Sequence, residues 1–371
     1  MWYYGRMKVL SISSDRKVFE KGSAVRERLL DYGRLVDELH VIVFAKSSLG
    51  FLDENVAPNI FLYSTNSLSK FLYIFSTISV ARRLKRKGVS ADVVTTQDPF
   101  EAGLAGYFVA KFFGARFHVQ IHTDVMSPYF ASESFLNSIR VRIAKFLIPR
   151  ANAIRVVSER IKNSLLTFDS RLSTITVLPI FIDTTHIVGS HAFKEKYPQF
   201  SKTLLVVSRI AREKNINMVI DAMREVTKKY PATGLVIVGD GPELLRLKEL
   251  VKKYHLDANV MFEGWKKDLI PYYKNADALV LPSFYEGYGM VAVEALAAGC
   301  PVIMTDVGCA GEVVIDPENG LVVPVGSLPA LIYAIEEVVS GKIKLDAKLP
   351  PHPTKEEYLV AYKKSWEDSI V

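Results

Sequence analysis

The sequence predicts an α/β protein of two parallel-sheet domains facing an interdomain cleft. Three observations carry this. The chain has 371 residues, more than one ordinary core fills, and suits two domains. Short β-branched runs alternate with helix-length segments from end to end, the pattern of parallel sheets covered by helices. The alternation breaks at a polar, irregular stretch reaching about Ser201 and then restarts.

In chain order, Met7 to Ile12 reads as a first strand, followed by a helix from about Ser23 that stops at Gly33. Leu39 to Phe44, Asp92 to Thr96, Phe117 to His122 and Ala153 to Ser158 are further strands. Asp98-Pro99-Phe100-Glu101 reads as a helix start: an aspartate cap, proline at the first helical position, then a glutamate. In the second half, strands are expected at Thr203 to Ser208, Gly234 to Gly239, Val260 to Glu263, Ala278 to Leu281 and Pro301 to Thr305. The domains are expected at residues 1–185 and 186–350. A last helix in 351–371, after Pro350, Pro351 and Pro353, returns to the first domain.

Hydrophobic residues make up 49% and charged residues 23%, a globular balance that excludes a disordered chain. No apolar run reaches the roughly 18 to 20 residues of a membrane span. The start, Met1 to Met7, does not read as a signal peptide. Two cysteines, Cys300 and Cys309, make no disulfide framework and suit a reducing cytoplasm. The formal net charge of +7 admits three kinds of partner: nucleic acid, an anionic membrane surface or phosphorylated substrates. No nucleic-acid-binding module or clustered aromatic platform is present, so nucleic acid is not expected.

The chemistry concentrates in Ser283 to Gly299. A strand ends near Leu281, Gly287 and Gly289 bracket a tight loop, and a helix starts at Met290. Free amides at such a helix start bind phosphate, and the glycines let a ligand approach the backbone. Glu286 and Glu294 flank that start. A carboxylate would repel phosphate there, so each is expected to bind a neutral hydroxyl, as a pure acceptor. Helix capping by Glu286 and a solvated face for Glu294 explain the same spacing. Arg209 and Lys214 follow another strand end and can reach a diphosphate, each charge-assisted bond contributing about 1.5–3 kcal/mol. Two such cations can neutralise a leaving diphosphate without a metal.

Residues 203–326 resemble the donor-binding domain of family 4 glycosyltransferases, which have the GT-B fold of two Rossmann-like domains. The resemblance rests on six ordered motifs: Ser208-Arg209 with Lys214-Asn215, Gly239 to Glu243, Phe262 to Trp265, Glu286 to Glu294, Ala298 to Val302, and Asn319 to Pro324. Leu178 to Asp183 resembles the family's interdomain segment. The resemblance implies that Arg209 and Lys214 hold the donor diphosphate and that Glu294 accepts from the ribose. It implies that Glu286 touches the transferred sugar, and that the amides of Gly287, Tyr288, Gly289 and Met290 meet sugar hydroxyls or phosphate. Gly264 and Trp265 would border the nucleobase, with Gly239 beside them. A rival reading of Gly239-Asp240-Gly241-Pro242, a dinucleotide fingerprint, fails because Leu244 occupies the third glycine position and Glu243 puts negative charge at the pyrophosphate.

In the first half, Gly22 is expected to meet donor phosphate in a closed cleft. His122 falls near a carboxyl strand edge, and the resemblance implies a role for it, since a family histidine in a similar place contacts the donor sugar and assists catalysis. His118 reads as structural. Two basic amphipathic segments, Phe71 to Lys87 and Phe135 to Arg150, can lie on anionic lipid or pack on the sheet with a basic outer face.

The expected function is therefore that of a metal-independent, retaining glycosyltransferase without a cofactor. It would take a sugar from a UDP- or GDP-hexose to a lipid-linked or polysaccharide acceptor in envelope polysaccharide synthesis. The place of action would be the cytoplasm, with peripheral contact at the inner membrane face. Glu286, His122, Arg209 and Lys214 are the candidate catalytic residues. A non-catalytic nucleotide-sugar-binding scaffold is the alternative, and its signature would be a broken donor motif.

Overall fold

The structure is a computed structural model that describes residues 7–185, 187 and 197–370. The start of the chain, and the expected domain boundary at residue 186, lie outside the described residues.

Fourteen strands are described, in two sheets. The first half holds β1 (Lys8–Ser13), β2 (Glu38–Val43), β3 (Glu54–Ala57), β4 (Ile60–Ser64), β5 (Val93–Thr96), β6 (Arg116–Ile121), β7 (Ala153–Val156) and β8 (Ile175–Val177). They form one sheet in the order β3-β4-β2-β1-β5-β6-β7-β8. All its pairings are parallel except the antiparallel β3–β4 hairpin.

The second half holds β9 (Lys202–Val207), β10 (Thr233–Val238), β11 (Val260–Gly264), β12 (Ala278–Leu281), β13 (Val302–Thr305) and β14 (Gly320–Val323). Their order is β11-β10-β9-β12-β13-β14, parallel throughout.

Parallel strands need apolar cover on both faces, and period-two alternation provides it. In β1, Leu10 and Ile12 pack with Val80, Leu84, Val109 and Leu147 of one helical layer. Met7 and Val9 face the other way, beside Leu29, Tyr358, Tyr362 and Trp366. In β9, Leu204 and Val206 meet Val219 and Met223, while Leu205 and Val207 meet Ala292, Ala295 and Leu296.

The terminal helix Lys355–Glu367 starts with a capping box between Thr354 and Glu357. It lies against the first sheet, with Trp366 and Tyr362 almost fully buried. Burying each such aromatic contributes about 1.5–3 kcal/mol. Arg155, buried on β7, ties this helix to the chain crossing between the sheets. Its guanidinium donates to Leu178 O at 2.9 Å, Pro179 O at 3.2 Å and the Tyr358 hydroxyl at 3.2 Å.

One local expectation changes. The helix after β5 spans Glu101–Phe113 with Phe100 as its cap residue, so Pro99 lies outside it. The Asp98 carboxylate instead accepts from the Phe100 amide at 2.8 Å and closes a turn before the helix. Glu101 pairs with Arg140 at 3.0 Å rather than closing a capping box.

Candidate active site

Strand order locates the site. The chain runs outward from β9 to β10 and β11, then returns to the other side of β9 as β12. That reversal leaves a crevice above the carboxyl ends of β9 and β12, the place where open α/β sheets bind ligands. The loops after these two strands fill it.

The loop after β9 carries Arg209 and Lys214 and ends at Asn215 in a left-handed conformation (φ 50°). The buried Asn215 side chain donates to Pro282 O at 3.2 Å, and the Phe284 amide donates to Glu213 O at 2.9 Å. These bonds lock the two loops together. Lys214 Nζ then lies 2.6 Å from Glu286 Oε1, which also accepts from Ser283 Oγ at 2.8 Å. Both charged side chains are largely buried. Arg209 pairs with Glu213 at 2.5 Å, but its own side chain is mostly exposed.

The loop after β12 passes into the helix Met290–Ala297 through Gly289, whose φ of +90° suits glycine, and among the described residues no side chain caps the helix start. Its first amides have no partner inside the helix. A cavity of about 710 Å³ opens in front of them, lined by Arg209, Lys214, Glu286, Gly287, Tyr288, Gly289 and Met290 from one half and by His122 from the other.

Gly287 is a glycine for a cross-half reason: a Cβ there would stand 1.9 Å from His122 O. Ser158 Oγ donates to Gly287 O at 3.1 Å from the same side. Further contacts join the halves nearby. Tyr285 donates to Glu133, Tyr129 stacks on Phe284 at 5.1 Å, and Arg160 pairs with Asp306.

His122 stands one residue past the end of β6, at its carboxyl edge. Burial, and then the charge of Arg155, lower its pKa to about 3, so the imidazole is neutral at pH 7. It borders a second cavity of about 530 Å³ above β1 and β5, the reversal point of the first sheet. His118 is fully buried and bonds Thr95 Oγ1 at 2.8 Å.

The remaining candidates sit apart from the main cavity. Glu294 is on the second turn of its helix and accepts from the Tyr273 hydroxyl at 2.8 Å. Gly239 packs on the carbonyl of Ser208, where a Cβ would come within 1.9 Å. Its amide bonds Gly264 O at 2.9 Å, placing Gly239, Gly264 and the exposed Trp265 together at the ends of β10 and β11. Gly22 is exposed before the helix Ala24–Gly33 and lines neither cavity.

Sequence reasoning missed Glu133, Asn137, Glu213 and Tyr285, which also line the main cavity. Glu213 and Tyr285 adjoin the motifs. Glu133 and Asn137 are one helical turn apart in number but are brought here by tertiary packing.

Comparison with known proteins gives the family. A model of the group "Glycosyl transferases group 1" matches residues 190–351, and one of "Glycosyltransferase Family 4" matches residues 33–186. N-acetyl-alpha-D-glucosaminyl L-malate synthase of Bacillus anthracis is 25% identical, over 79% of this chain and 78% of that protein. Alpha-monoglucosyldiacylglycerol synthase of Streptococcus pneumoniae is 28% identical over 58% of this chain, which spans about half (52%) of that relative. Anabaena Alr3699/HepE in complex with UDP shares the fold, with a TM-score of 0.70 at 18% identity over 98% of this chain and 95% of that one. The chain belongs to the family 4-like glycosyltransferases of GT-B fold.

Proposed function

We propose that this family 4-like glycosyltransferase moves a hexose from a UDP- or GDP-sugar to an acceptor hydroxyl with retention of anomeric configuration and without a metal. The observation that carries the reading is the convergence of Arg209, Lys214 and the uncapped start of the helix Met290–Ala297 on one cavity. Those groups supply two cations and a set of aligned amides where a diphosphate would lie. Their positive charge stabilises the leaving group as the glycosidic bond to phosphate breaks.

In this reading Lys214 leaves Glu286 when the diphosphate arrives, and the freed Glu286 carboxylate accepts from a sugar hydroxyl. The amides of Gly287, Tyr288, Gly289 and Met290 follow the sugar and phosphate. Glu294 accepts from the ribose beside Tyr273, and the base lies toward Gly264, Trp265 and Gly239. Neutral His122 hydrogen-bonds the sugar from the opposite wall. The acceptor attacks on the face from which the diphosphate departs, and a donor phosphate oxygen takes its proton. Gly22 reaches the phosphate only if the cleft closes further.

The acceptor side is the cavity over β1 and β5. A lipid-linked or polysaccharide glycan of the cell envelope fits the reading, with the enzyme at the inner face of the membrane. Two relatives are named for glycosylated products, one built on L-malate and one on diacylglycerol, which favours a small or lipid acceptor.

The test is a screen of UDP-, GDP- and ADP-sugars for thermal stabilisation and hydrolysis, with and without EDTA. One sugar nucleotide should raise Tm and be hydrolysed to the α-configured product independently of EDTA. Inversion at the anomeric carbon, or loss of turnover in EDTA, would sink the corresponding part of the reading.

A further inference from the structure

Both basic amphipathic segments pack an apolar stripe into the core of the first half. In the helix Tyr73–Arg86, the apolar stripe of Ile74, Thr77, Val80, Ala81 and Leu84 faces the sheet core, so that stripe does not lie on lipid. Apolar surface is exposed elsewhere: Leu52 (78%), Leu68 (83%), Phe71 (91%) and Phe75 (70%).

These four residues belong to one tip. The loops 44–53 and 65–72 leave the carboxyl ends of the adjacent strands β2 and β4 and are cross-linked. Ser47 N bonds Ser67 O at 3.0 Å, Ser67 N bonds Ala45 O at 2.9 Å, and Asn66 Nδ2 bonds Phe51 O at 3.1 Å. Tyr73 stacks on Phe44, which seats the helix start on the same edge. The aromatic and leucine side chains therefore project from a braced support. Isolated exposed apolar residues are ordinary, but four on cross-linked loops and the adjoining helix start mark an interaction surface.

Charge identifies the partner. The segment 46–87 holds seven Lys and Arg against two carboxylates. Both carboxylates are neutralised, Asp53 by Arg83 at 2.8 Å and Glu54 by Arg26 at 2.5 Å. Lys46 and Lys70 are exposed within the tip. On the helix, Phe75, Ser79, Arg82 and Arg86 are all exposed at helical spacing, so one outer stripe runs from an aromatic to cations. Large apolar side chains ringed by cations that pair with no carboxylate among the described residues match the boundary between acyl chains and anionic headgroups.

We propose that this tip docks the protein on an anionic lipid bilayer, with Leu52, Leu68, Phe71 and Phe75 entering the headgroup boundary and Lys46, Lys70, Arg82 and Arg86 meeting lipid phosphates. The tip also adjoins the acceptor-side cavity. Phe51 stacks on Phe19 at 4.6 Å, and Asp15 and Val18 of the same turn line that cavity. A bilayer seated here brings headgroup hydroxyls to the mouth of the cleft. The acceptor consequence rests on the transferase reading; the docking itself does not.

Co-sedimentation of the full chain with vesicles tests it, using phosphatidylcholine alone and with about a third phosphatidylglycerol. The protein should bind the anionic vesicles and release in high salt. The variant L68S/F71S/F75S should lose binding by about tenfold or more at unchanged Tm. The variant R82E/R86E should lose the preference for phosphatidylglycerol. No binding of the wild-type chain to anionic vesicles at low salt overturns the proposal, as does equal binding by the triple serine variant. A wild-type dimer that the triple variant converts to monomer, without vesicle binding, assigns the tip to a second copy of the chain instead. Since partition is read without turnover, its failure is distinct from failure of the transferase reading.

Discussion

Lys214 Nζ stands 2.6 Å from Glu286 Oε1, across two loops whose residues are 72 positions apart. The pair lines the cavity in front of the helix Met290–Ala297, largely buried, with Ser283 as the third partner. On the proposed function, a diphosphate entering there would compete with Glu286 for the same ammonium group.

Replacing either cation tests the diphosphate role. Lys214→Ala or Arg209→Ala should lower kcat/KM at least about tenfold, roughly 1.4 kcal/mol of transition-state stabilisation. Circular dichroism should be unchanged, because the strands and core around β9 do not depend on either side chain. Unchanged turnover in either variant refutes its part in holding the leaving group.

Glu286→Gln separates binding from chemistry. The substitution removes the charge that holds Lys214 and keeps the size of the side chain. Nucleoside diphosphate alone should bind as tightly or more tightly, by calorimetry, while kcat falls about tenfold or more. Weaker diphosphate binding in this variant would show that Glu286 does not compete for Lys214.

Gly287→Ala probes the seam between the halves. The new methyl would meet the His122 carbonyl at 1.9 Å, a backbone atom that cannot swing aside. The halves must move apart, so activity should fall at least about tenfold, with a stability loss of about 1–3 kcal/mol. Wild-type activity in this variant would mean that the seam is not closed during turnover.

His122 sets a pH signature. Its pKa is lowered to about 3 by burial and Arg155, against about 6.5 in the unfolded chain. The unfolded state therefore binds more protons between these values. Stability falls as pH drops from about 6.5 toward 3, by up to about 2 kcal/mol at pH 5 from this residue. His122→Gln should flatten that part of the urea-derived stability profile. Since His122 is neutral above about pH 4, the same variant should lower kcat without moving an acid limb near pH 6. A displaced limb would assign that titration to His122.

Arg155→Met tests the tie to the terminal helix. It removes charge-assisted bonds to Leu178, Pro179 and Tyr358 from a buried place. We expect a loss of about 3 kcal/mol and faster amide exchange across 355–367. Unaltered exchange there would leave the helix anchored by its aromatic residues alone.

Much of the fold is legible because its signals are local. Ser23 caps the helix Ala24–Gly33 and Thr354 with Glu357 boxes the last one, both within a single turn. The β3–β4 hairpin escaped notice, since strands of four and five residues around Pro58-Asn59 carry little period-two pattern. Asp98 was misread because a cap and an Asx turn begin with the same residue and bond the amide two residues on. The amphipathic stripe of 73–86 indicated a buried face without saying whether protein or lipid covers it, and packing against the helix Glu101–Phe113 in the shared core decides for protein.

By itself the sequence determined the alternation of strand and helix, the glycine-marked helix start at Met290 and the ordered motifs of the family, because these rest on sterics and hydrogen bonding between near neighbours. Only the tertiary structure decided that Lys214 would meet Glu286, that Gly287 would rest on His122, and that Leu68, Phe71 and Phe75 would stay uncovered. Those relationships join residues from different strands or halves. They are set by how two sheets, each buried on both faces, fix the ends of their strands in space, and no local preference encodes that sum.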